Sequence, residues 1–293
     1  MSLSSLIICT KDRPVELEAC LDSLASCVYY PGEILVVDSS AHALTQLVVE
    51  RFARTKLPQV SFRKTSSGLT RQRNFGVALI DDGSEIVHFL DDDVVVDGNY
   101  FTEIEAAIVS DPSVIAAGGR VTNVPPHGGL FAKLKTRREG LVGSDGVNHL
   151  SRSRGEGVRN VHWLSGCSMS FRASVFEHVR FDERRTGNGV GEDVDFCLRA
   201  SALGGILWVP NATLEHRQSP INRFGARKSG FSTIDHRLLL ATDRLHTVRR
   251  SRVMARGYVE SLMRLLRSFV TGSESQREYA LGMLERLGRG SDD

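Results

Sequence analysis

Short, nearly continuous apolar runs alternate with segments of helical periodicity through the first third of the chain. Residues 6–9, 34–37 and 85–90 form such runs, and each passes directly into polar or charged residues. Leucines at three- and four-residue spacing follow the first run. Strands that are apolar along both faces and separated by helices are typical of parallel sheets covered on both sides. The sequence therefore predicts an α/β protein with a mixed, mostly parallel sheet.

Length and charge constrain the organisation of the chain further. The 293 residues suffice for one large α/β domain, or for one domain with an appendage. The net charge of +2 argues against a dedicated nucleic-acid binder. However, the charge is uneven: residues 1–216 carry a net −5, and residues 217–293 carry a net +7. A basic C-terminal quarter on an acidic body indicates two surfaces with different roles.

Cysteine usage and hydropathy indicate the compartment. The five cysteines are odd in number and contain no CxxC pair, which is typical of buried thiols in a reducing environment. The N-terminus lacks the basic region of a signal peptide, and no stretch reaches the roughly 20 apolar residues of a membrane span. We expect a cytoplasmic protein, and peripheral association with the inner face of a membrane stays open.

Three adjacent carboxylates, Asp91, Asp92 and Asp93, follow the run at 85–90. Like charges this close repel, and a hard divalent cation such as Mg²⁺ or Mn²⁺ relieves the repulsion. If the strand continues, Asp91 and Asp93 project to the same side and Asp92 points away. We therefore predict that Asp93 binds a metal and that Asp91 faces a ribose or water around that metal. A solvated acidic turn is the alternative.

Polar residues also follow the other early strands. Thr10 ends the first run, and Asp38 ends the second. In parallel sheets ligands bind outside the carboxyl ends of the strands. We therefore expect Thr10, Asp38 and the carboxylates at 91–93 to meet at one crevice, which a mere acidic turn would not predict.

The second half of the chain is less regular. It contains a long Gly-, Ser- and Arg-rich excursion at 125–160, with a short helix near 130–134. Around it we predict strands at 114–119, at 161–171 with a kink at Gly166, and at 206–209 ending before Pro210, and a helix at 193–203. Beyond His216 we predict a flexible loop at 217–233 and helices near 238–248, 254–269 and 275–287.

Five motifs in order give the sequence a specific resemblance. They are CTKDRP at 9–14, VVDSS at 36–40, GLTRQRNFG at 68–76, the Asp91–Asp93 cluster and GEDVDF at 191–196. In this order and spacing they resemble family 2 glycosyltransferases of the GT-A fold. The resemblance implies a catalytic domain at 4–216, with a nucleotide-binding half at 4–93 and an acceptor-binding half at 94–216. A loop and helical extension at 217–293 follows it.

The resemblance also implies an activity. Such enzymes move a sugar from a pyrimidine nucleotide-sugar, UDP- or dTDP-linked, to a hydroxyl of a saccharide or lipid-linked acceptor with inversion. Mg²⁺ or Mn²⁺ assists, and polysaccharide biosynthesis at a bacterial cell envelope is a common setting. A sugar-phosphate nucleotidyltransferase is a weaker alternative, because the loop at 10–14 contains no glycine. A catalytically silent nucleotide-binding module is the other.

Carried over residue by residue, the resemblance assigns roles to this chain's side chains. Asp193 would be the general base with Glu192 beside it, although the pair also suits a helix N-terminus. His216 would join Asp93 at the metal, and Trp163 and Gly166 would meet the acceptor, with core packing the alternative for Trp163. The nucleotide would contact Thr10, Arg13, Asp38, Arg71, Asn74, Asp91 and Asp92.

Two alternatives concern individual residues and a third concerns the C-terminal helix. Asp38 also suits an Asx turn at a strand end. A solvated helix face is a serious alternative for Arg73 and less so for Arg71. The apolar stripe of the helix at 254–269, preceded by several arginines, suits packing within the protein, a homodimer or a membrane surface.

Overall fold

The computed structural model describes residues 4–125, 136–152, 157–186, 189–243, 245 and 247–289. By its internal contacts the chain divides into two compact units. The first comprises Met1–Leu141 and His149–Asn222, and the second comprises Val142–Asn148 and Arg223–Asp293. The helix predicted near 130–134 lies outside the described residues.

The first unit alternates strands and helices along its N-terminal half. The strands are β1 (Ser4–Thr10), β2 (Glu33–Asp38), β3 (Val60–Lys64), β4 (Ile86–Asp91), β5 (Val94–Val96), β6 (Val114–Val121), β7 (Arg159–Asn160), β8 (Ser168–Arg172) and β9 (Gly205–His216). The helices are α1 (Pro14–Ala25), α2 (Leu44–Thr55), α3 (Leu69–Val77), α4 (Tyr100–Val109) and α5 (Glu192–Ala200), with a 3₁₀ turn at Ala173–Glu177.

These strands form a single mixed sheet among the described residues. Its order is β3-β2-β1-β4-β8-β6-β9-β5, and β7 pairs with β9. The first four strands in this order run parallel, which confirms the prediction from their apolar runs. Strand β8 pairs antiparallel with both β4 and β6, whereas β6 and β9 are parallel.

Helices cover both faces of the sheet. Leu6 and Ile8 of β1 belong to a buried cluster that includes apolar residues of α1, α2 and α4. Ile7 points to the other face, where α3 approaches so closely that a Cβ at Gly76 would meet the Ile7 side chain. On that second face Phe89 contacts Phe181, which stacks on Phe196 of α5. Burial on both faces explains why these strands carry no alternating pattern.

Two strand predictions in the second half are wrong in their bounds. The strand predicted at 161–171 begins only at Ser168, because the peptide groups of Gly166 bond to side chains instead of to the sheet. The strand predicted to end before Pro210 continues to His216. Its register with β6 shifts between Val209 and Thr213, and this bulge accommodates the proline, which has no N–H to donate.

A short strand follows the three carboxylates and was not predicted. Strand β5 pairs antiparallel with the end of β9, so that Val94 lies opposite His216 and Val96 opposite Leu214. The chain therefore turns at Asp92 and Asp93, and His216 is brought alongside them.

The second unit contains three helices in its described part. They are α6 (Ala226–Thr242), α7 (Arg250–Thr271) and α8 (Glu274–Gly288). The loop predicted at 217–233 is too long, because α6 begins at Ala226. Helix α6 lies close to α8 at Gly230 and Gly282, where a Cβ would collide with the backbone of the other helix. None of the described helices is both long enough and apolar enough to cross a membrane.

Candidate active site

The carboxyl ends of β1, β2 and β4 lie side by side. Thr10 pairs with Asp38, and Cys9 pairs with Asp91, because β1 lies between the other two strands. The polar residues that follow each apolar run therefore meet at one edge of the sheet. This convergence is the arrangement expected from the sequence.

Asp91, Asp93 and His216 form a compact acidic cluster beside this edge. One ligand atom from each lies within 4.8 Å of those of the other two. His216 Nε2 is 3.1 Å from Asp93 Oδ1 and 3.8 Å from Asp91 Oδ2. The pairing of β5 with β9 creates this cluster, because it places His216 opposite Val94.

The chemistry of this cluster suits a divalent cation. Burial would raise the pKa of Asp93, but hydrogen bonds from His216 and the Ser219 N–H lower it. Burial has the opposite effect on His216 and would lower its pKa, but the hydrogen bond with Asp93 raises the pKa of His216 to about 11. Two carboxylates and an imidazole are a donor set that Mn²⁺ accepts and that Mg²⁺ accepts through its oxygens. His216 would have to release its proton to bind the ion, because only a neutral imidazole is a metal ligand.

Asp92 points away from this cluster, as predicted, although β4 ends at Asp91 and Asp92 lies in the turn that follows it. Its carboxylate accepts hydrogen bonds from Thr10 Oγ1 at 2.6 Å and from Arg13 Nη1 at 2.9 Å. Burial raises the pKa of Asp92 to about 7, and the Arg13 and Thr10 contacts act against that rise. Thr10 and Arg13, predicted to flank the nucleotide, are thus engaged with Asp92, although Arg13 also lies 3.7 Å from Asp93.

A segment after β9 closes over the acidic cluster. The Arg217 N–H donates to the Asp93 carbonyl at 2.9 Å, and the Ser219 N–H donates to Asp93 Oδ2 at 2.8 Å. Further along, Arg13 donates to the Ile221 carbonyl, and Asn222 Nδ2 donates to the Lys11 carbonyl at 2.7 Å. Residues 217–222 are therefore tied to both the turn after β4 and the loop after β1.

Asp38 is fully buried at the end of β2. Its Oδ1 accepts hydrogen bonds from both the N–H and the hydroxyl of Ser40, and its Oδ2 accepts one from Lys64 Nζ at 3.1 Å. This is the Asx-type turn that the sequence offered as the alternative. In the ion pair with Asp38, the Lys64 side chain is half exposed whereas that of Asp38 is buried. The contact of Asp38 with a nucleobase stays a prediction.

Arg71 and Asn74 of α3 are not brought to the acidic cluster. Arg71 is 52% exposed and pairs loosely with Glu183. Asn74 exchanges two hydrogen bonds with the backbone of Phe181. Their predicted contact with the nucleotide stays a prediction, and in this structure Asn74 fixes a neighbouring loop.

Arg73 is the central residue that the sequence analysis missed. It is only 2% exposed, so that the interpretation as a solvated helix face is wrong. Its guanidinium lies 2.6 Å from Glu192 Oε2 and 3.4 Å from Asp91 Oδ1, and it donates to the Gly166 carbonyl at 2.9 Å. Thr70, Arg73 and Gly76 are all buried in α3, and Gly76 lies against Ile7 of the sheet. Their three-residue spacing is the one signal in the sequence for the burial of Arg73.

Asp193 lies at the start of α5, and its carboxylate accepts hydrogen bonds from two backbone N–H groups. Gly166 donates to Asp193 Oδ2 at 3.0 Å, and Val194 donates to Asp193 Oδ1 at 2.8 Å. Burial raises the pKa of Asp193, while these two hydrogen bonds and Arg73 act against the rise. Gly189 and Gly191 precede it with positive φ, which allows the tight entry into the helix.

Glu192 shares the same buried surroundings. It is 5% exposed and faces Arg73. Burial raises the pKa of Glu192, and the guanidinium of Arg73 opposes that rise. The Arg73 guanidinium thus connects Asp91 with Glu192 directly and with Asp193 through the Gly166 peptide.

Gly166→Ala should disturb this connection. A Cβ at Gly166 would lie 2.9 Å from Glu192 Oε1 and 3.2 Å from Arg73 Nη2. We expect a loss of about 1–3 kcal/mol in the free energy of unfolding, the usual cost of overpacking, and reduced turnover. Gly157→Ala is the matched control, because a Cβ there meets nothing within 4 Å. Equal unfolding midpoints for both variants in urea would contradict the expectation.

Trp163 lies three residues before Gly166 and is 6% exposed. Its indole Nε1 has no hydrogen-bond partner among the described residues. The packing alternative given for Trp163 accounts for its burial, and its predicted stacking on an acceptor sugar stays a prediction.

Comparisons with known proteins agree with this architecture. Residues 5–180 match the sequence model of the family described as "Glycosyl transferase family 2". Among curated proteins no sequence matches. Among solved structures, similarity is found to S. aureus TarS, with a TM-score of 0.56 and 17% identity over 91% of this chain and 43% of that one.

Two further structures carry nucleotides in their descriptions. One is GalNAc-T7 with UDP, GalNAc and Mn²⁺, at a TM-score of 0.64 and 15% identity over 82% of this chain and 48% of that one. The other is the mannosyltransferase PcManGT from Pyrobaculum calidifontis with GDP-Man and Mn²⁺. Its TM-score is 0.64 and its sequence identity 15%, over 98% of this chain and 87% of that one. This chain spans less than half the length of TarS and GalNAc-T7.

The fold and the sequence match together define the class of protein. The mixed, mostly parallel sheet covered by helices is the GT-A fold of glycosyltransferases. The chain belongs to glycosyl transferase family 2.

Proposed function

We propose that this glycosyltransferase transfers a sugar, with inversion, from a pyrimidine nucleotide-sugar to a hydroxyl of a saccharide or lipid-linked acceptor. The observation that carries the proposal is the continuous set of contacts from Asp91 through Arg73 and Gly166 to Asp193. It connects a cluster suited to a metal and diphosphate with a carboxylate suited to a base. The nucleotidyltransferase alternative lacks such support, because the family match favours transfer of the sugar itself.

Asp193 is the proposed general base. In inverting transfer one carboxylate takes the proton of the acceptor hydroxyl as its oxygen attacks the anomeric carbon, opposite the leaving group. The two backbone N–H groups fix the orientation of the Asp193 carboxylate. Partial burial raises its pKa above the ordinary value, which makes it a stronger base toward a hydroxyl proton.

Asp91, Asp93 and His216 are the proposed holders of Mg²⁺ or Mn²⁺. When bound, such an ion supplies positive charge beside the diphosphate leaving group. The chain's own part is to keep two carboxylates and one imidazole within reach of one another. Arg13, which lies near Asp92 and Asp93, adds a fixed positive charge at the same edge.

Asp38 is the basis for the proposed nucleobase of the donor. A buried carboxylate at this strand end favours a uracil or thymine ring N–H, and hence UDP- or dTDP-sugars. GT-A relatives include one with UDP and one with GDP-Man in their descriptions. A thermal-shift panel of UDP, dTDP and GDP therefore tests the assignment, because a ligand at 100 times its Kd stabilises a protein by about 2.7 kcal/mol. Stabilisation by GDP alone would contradict the pyrimidine donor.

Asp93→Ala should abolish the metal dependence of UDP binding, because a hard cation depends on its carboxylate ligands. Calorimetry with and without Mn²⁺ measures this dependence. Asp82→Ala, an exposed carboxylate on a turn, is the matched control and should bind as the parent does. If Asp93→Ala still binds UDP more tightly with Mn²⁺ than without it, then Asp91 or His216 is the true anchor.

A further inference from the structure

Helix α7 has two dissimilar faces. Its buried face is built from small residues, namely Gly257, Ser261 and Ser268, together with Val253. At Gly257 a Cβ would lie about 3 Å from the side chains of Ile234 and Leu287, so that the glycine allows α7 close to its neighbours. The small residues therefore provide the packing within the second unit.

The larger apolar residues of α7 lie on the opposite face. The stripe, for which packing within the protein is one of three alternatives, is largely exposed, with Phe269 78% and Val270 88% accessible. At 100° per residue these side chains form one continuous strip along the helix. We call this strip the apolar face of α7, and it consists of Tyr258, Val259, Leu262, Met263, Leu266, Phe269 and Val270.

Positive charge borders the apolar face. Arg256 and Arg267 are exposed along one of its edges, and Arg249 and Arg250 are exposed at its N-terminal end. The sequence of α7 contains a single acidic residue, Glu260. That carboxylate already pairs with Arg237 and Arg264, so it does not neutralise the border.

We propose that the apolar face of α7 binds an anionic lipid surface with the helix axis in the plane of the membrane. Exposed Phe, Leu, Met and Val side chains would enter the boundary between headgroups and acyl chains, as in interfacial helices. The bordering arginines would reach the anionic headgroups while their stems stay in apolar surroundings. The 22 residues of α7 give a contact about 33 Å long.

Charge favours this occupant over a second copy of the chain. If two apolar faces met in a dimer, Arg256 and Arg267 would border the contact in both copies. No unpaired acidic side chain of α7 would face them in either orientation, and like charges across an interface weaken it. An anionic surface supplies the missing negative charge along the whole edge.

Co-sedimentation with vesicles tests the proposal on the full chain. We expect binding to phosphatidylcholine vesicles containing 30% phosphatidylglycerol and little binding to pure phosphatidylcholine. Leu262→Ser/Leu266→Ser/Phe269→Ser should lower the partition coefficient by about 100-fold, because each large side chain contributes to burial. Arg256→Gln/Arg267→Gln should lower it by about 30-fold, and 0.5 M NaCl should do likewise for the parent.

Matched controls replace exposed residues of the same types elsewhere. Val15→Ser and Arg54→Gln change an exposed valine and an exposed arginine of the first unit and should bind as the parent does. All variants alter exposed side chains, and their unfolding midpoints should match. Equal binding to neutral vesicles, no binding at low ionic strength, or a dimer in analytical ultracentrifugation that the triple serine variant dissociates would overturn the proposal.

Discussion

Replacing Asp193 by Asn should lower turnover by about 10²–10⁴ while UDP binding persists. The expected loss is the usual contribution of a general base, because an amide cannot accept the hydroxyl proton. Both Asp193 oxygens accept backbone N–H groups, so the amide also loses one hydrogen bond. We therefore expect a decrease of about 1–3 kcal/mol in the free energy of unfolding without loss of the fold.

The pH dependence of the parent provides a second measurement of the same role. A base must be ionised, so that activity should fall as the pH drops through the pKa of Asp193. Burial raises that pKa, and the acid limb of kcat/KM should lie above the ordinary range of an Asp. The limb should vanish in Asp193→Asn and persist in Asp82→Asn. Turnover of Asp193→Asn within threefold of the parent would refute the assignment.

Arg73→Met should cost about 3–5 kcal/mol in the free energy of unfolding at neutral pH. Removing one partner of a buried ion pair leaves the other charge without compensation, and here Glu192 is also buried. The same substitution removes the donor to the Gly166 carbonyl. We therefore expect weakened turnover in whatever fraction stays folded, measured with urea unfolding and with steady-state kinetics.

Two further variants test whether the loss comes from the buried position of Arg73 or from its pairing with Glu192. Arg71→Met lies two residues earlier on the same helix, where the side chain is 52% exposed, and should change stability by less than about 0.5 kcal/mol. Arg73→Met/Glu192→Gln should recover part of the stability, because it leaves no unpaired carboxylate. If Arg71→Met and Arg73→Met unfolded at the same urea concentration, the buried arginine would have no special structural role.

The sequence predicts the parallel half of the sheet well because burial on both faces leaves an unmistakable pattern. Residues 34–37 must be apolar throughout when helices cover both sides. The same reasoning correctly brings Thr10, Asp38 and Asp91 to one edge. The side chains of Asp91 and Asp93 meet while that of Asp92 turns away, as predicted. The cause differs from the predicted one, because β4 ends at Asp91 and the chain turns at Asp92 and Asp93.

Non-local pairing sets the parts that the sequence does not predict. His216 approaches Asp93 because a three-residue strand, Val94–Val96, pairs with the end of β9, and so short a strand has no distinctive pattern. The burial of Arg73 depends on Glu192 and Gly166, more than 90 residues away along the chain. The amphipathic pattern of α7 predicts a helix correctly, but periodicity alone does not say which face the neighbouring helices cover.

The hydrogen bonds of residues 217–222 bear on where the catalytic part can be cut. A truncation after His216 keeps the imidazole but removes the Ser219 N–H that donates to Asp93 and the Ile221 carbonyl that accepts from Arg13. A truncation after Asn222 keeps both, along with the tie to Lys11. These six residues hold Asp93 and the loop after β1 in place through hydrogen bonds. Truncated variants of this enzyme should therefore retain them.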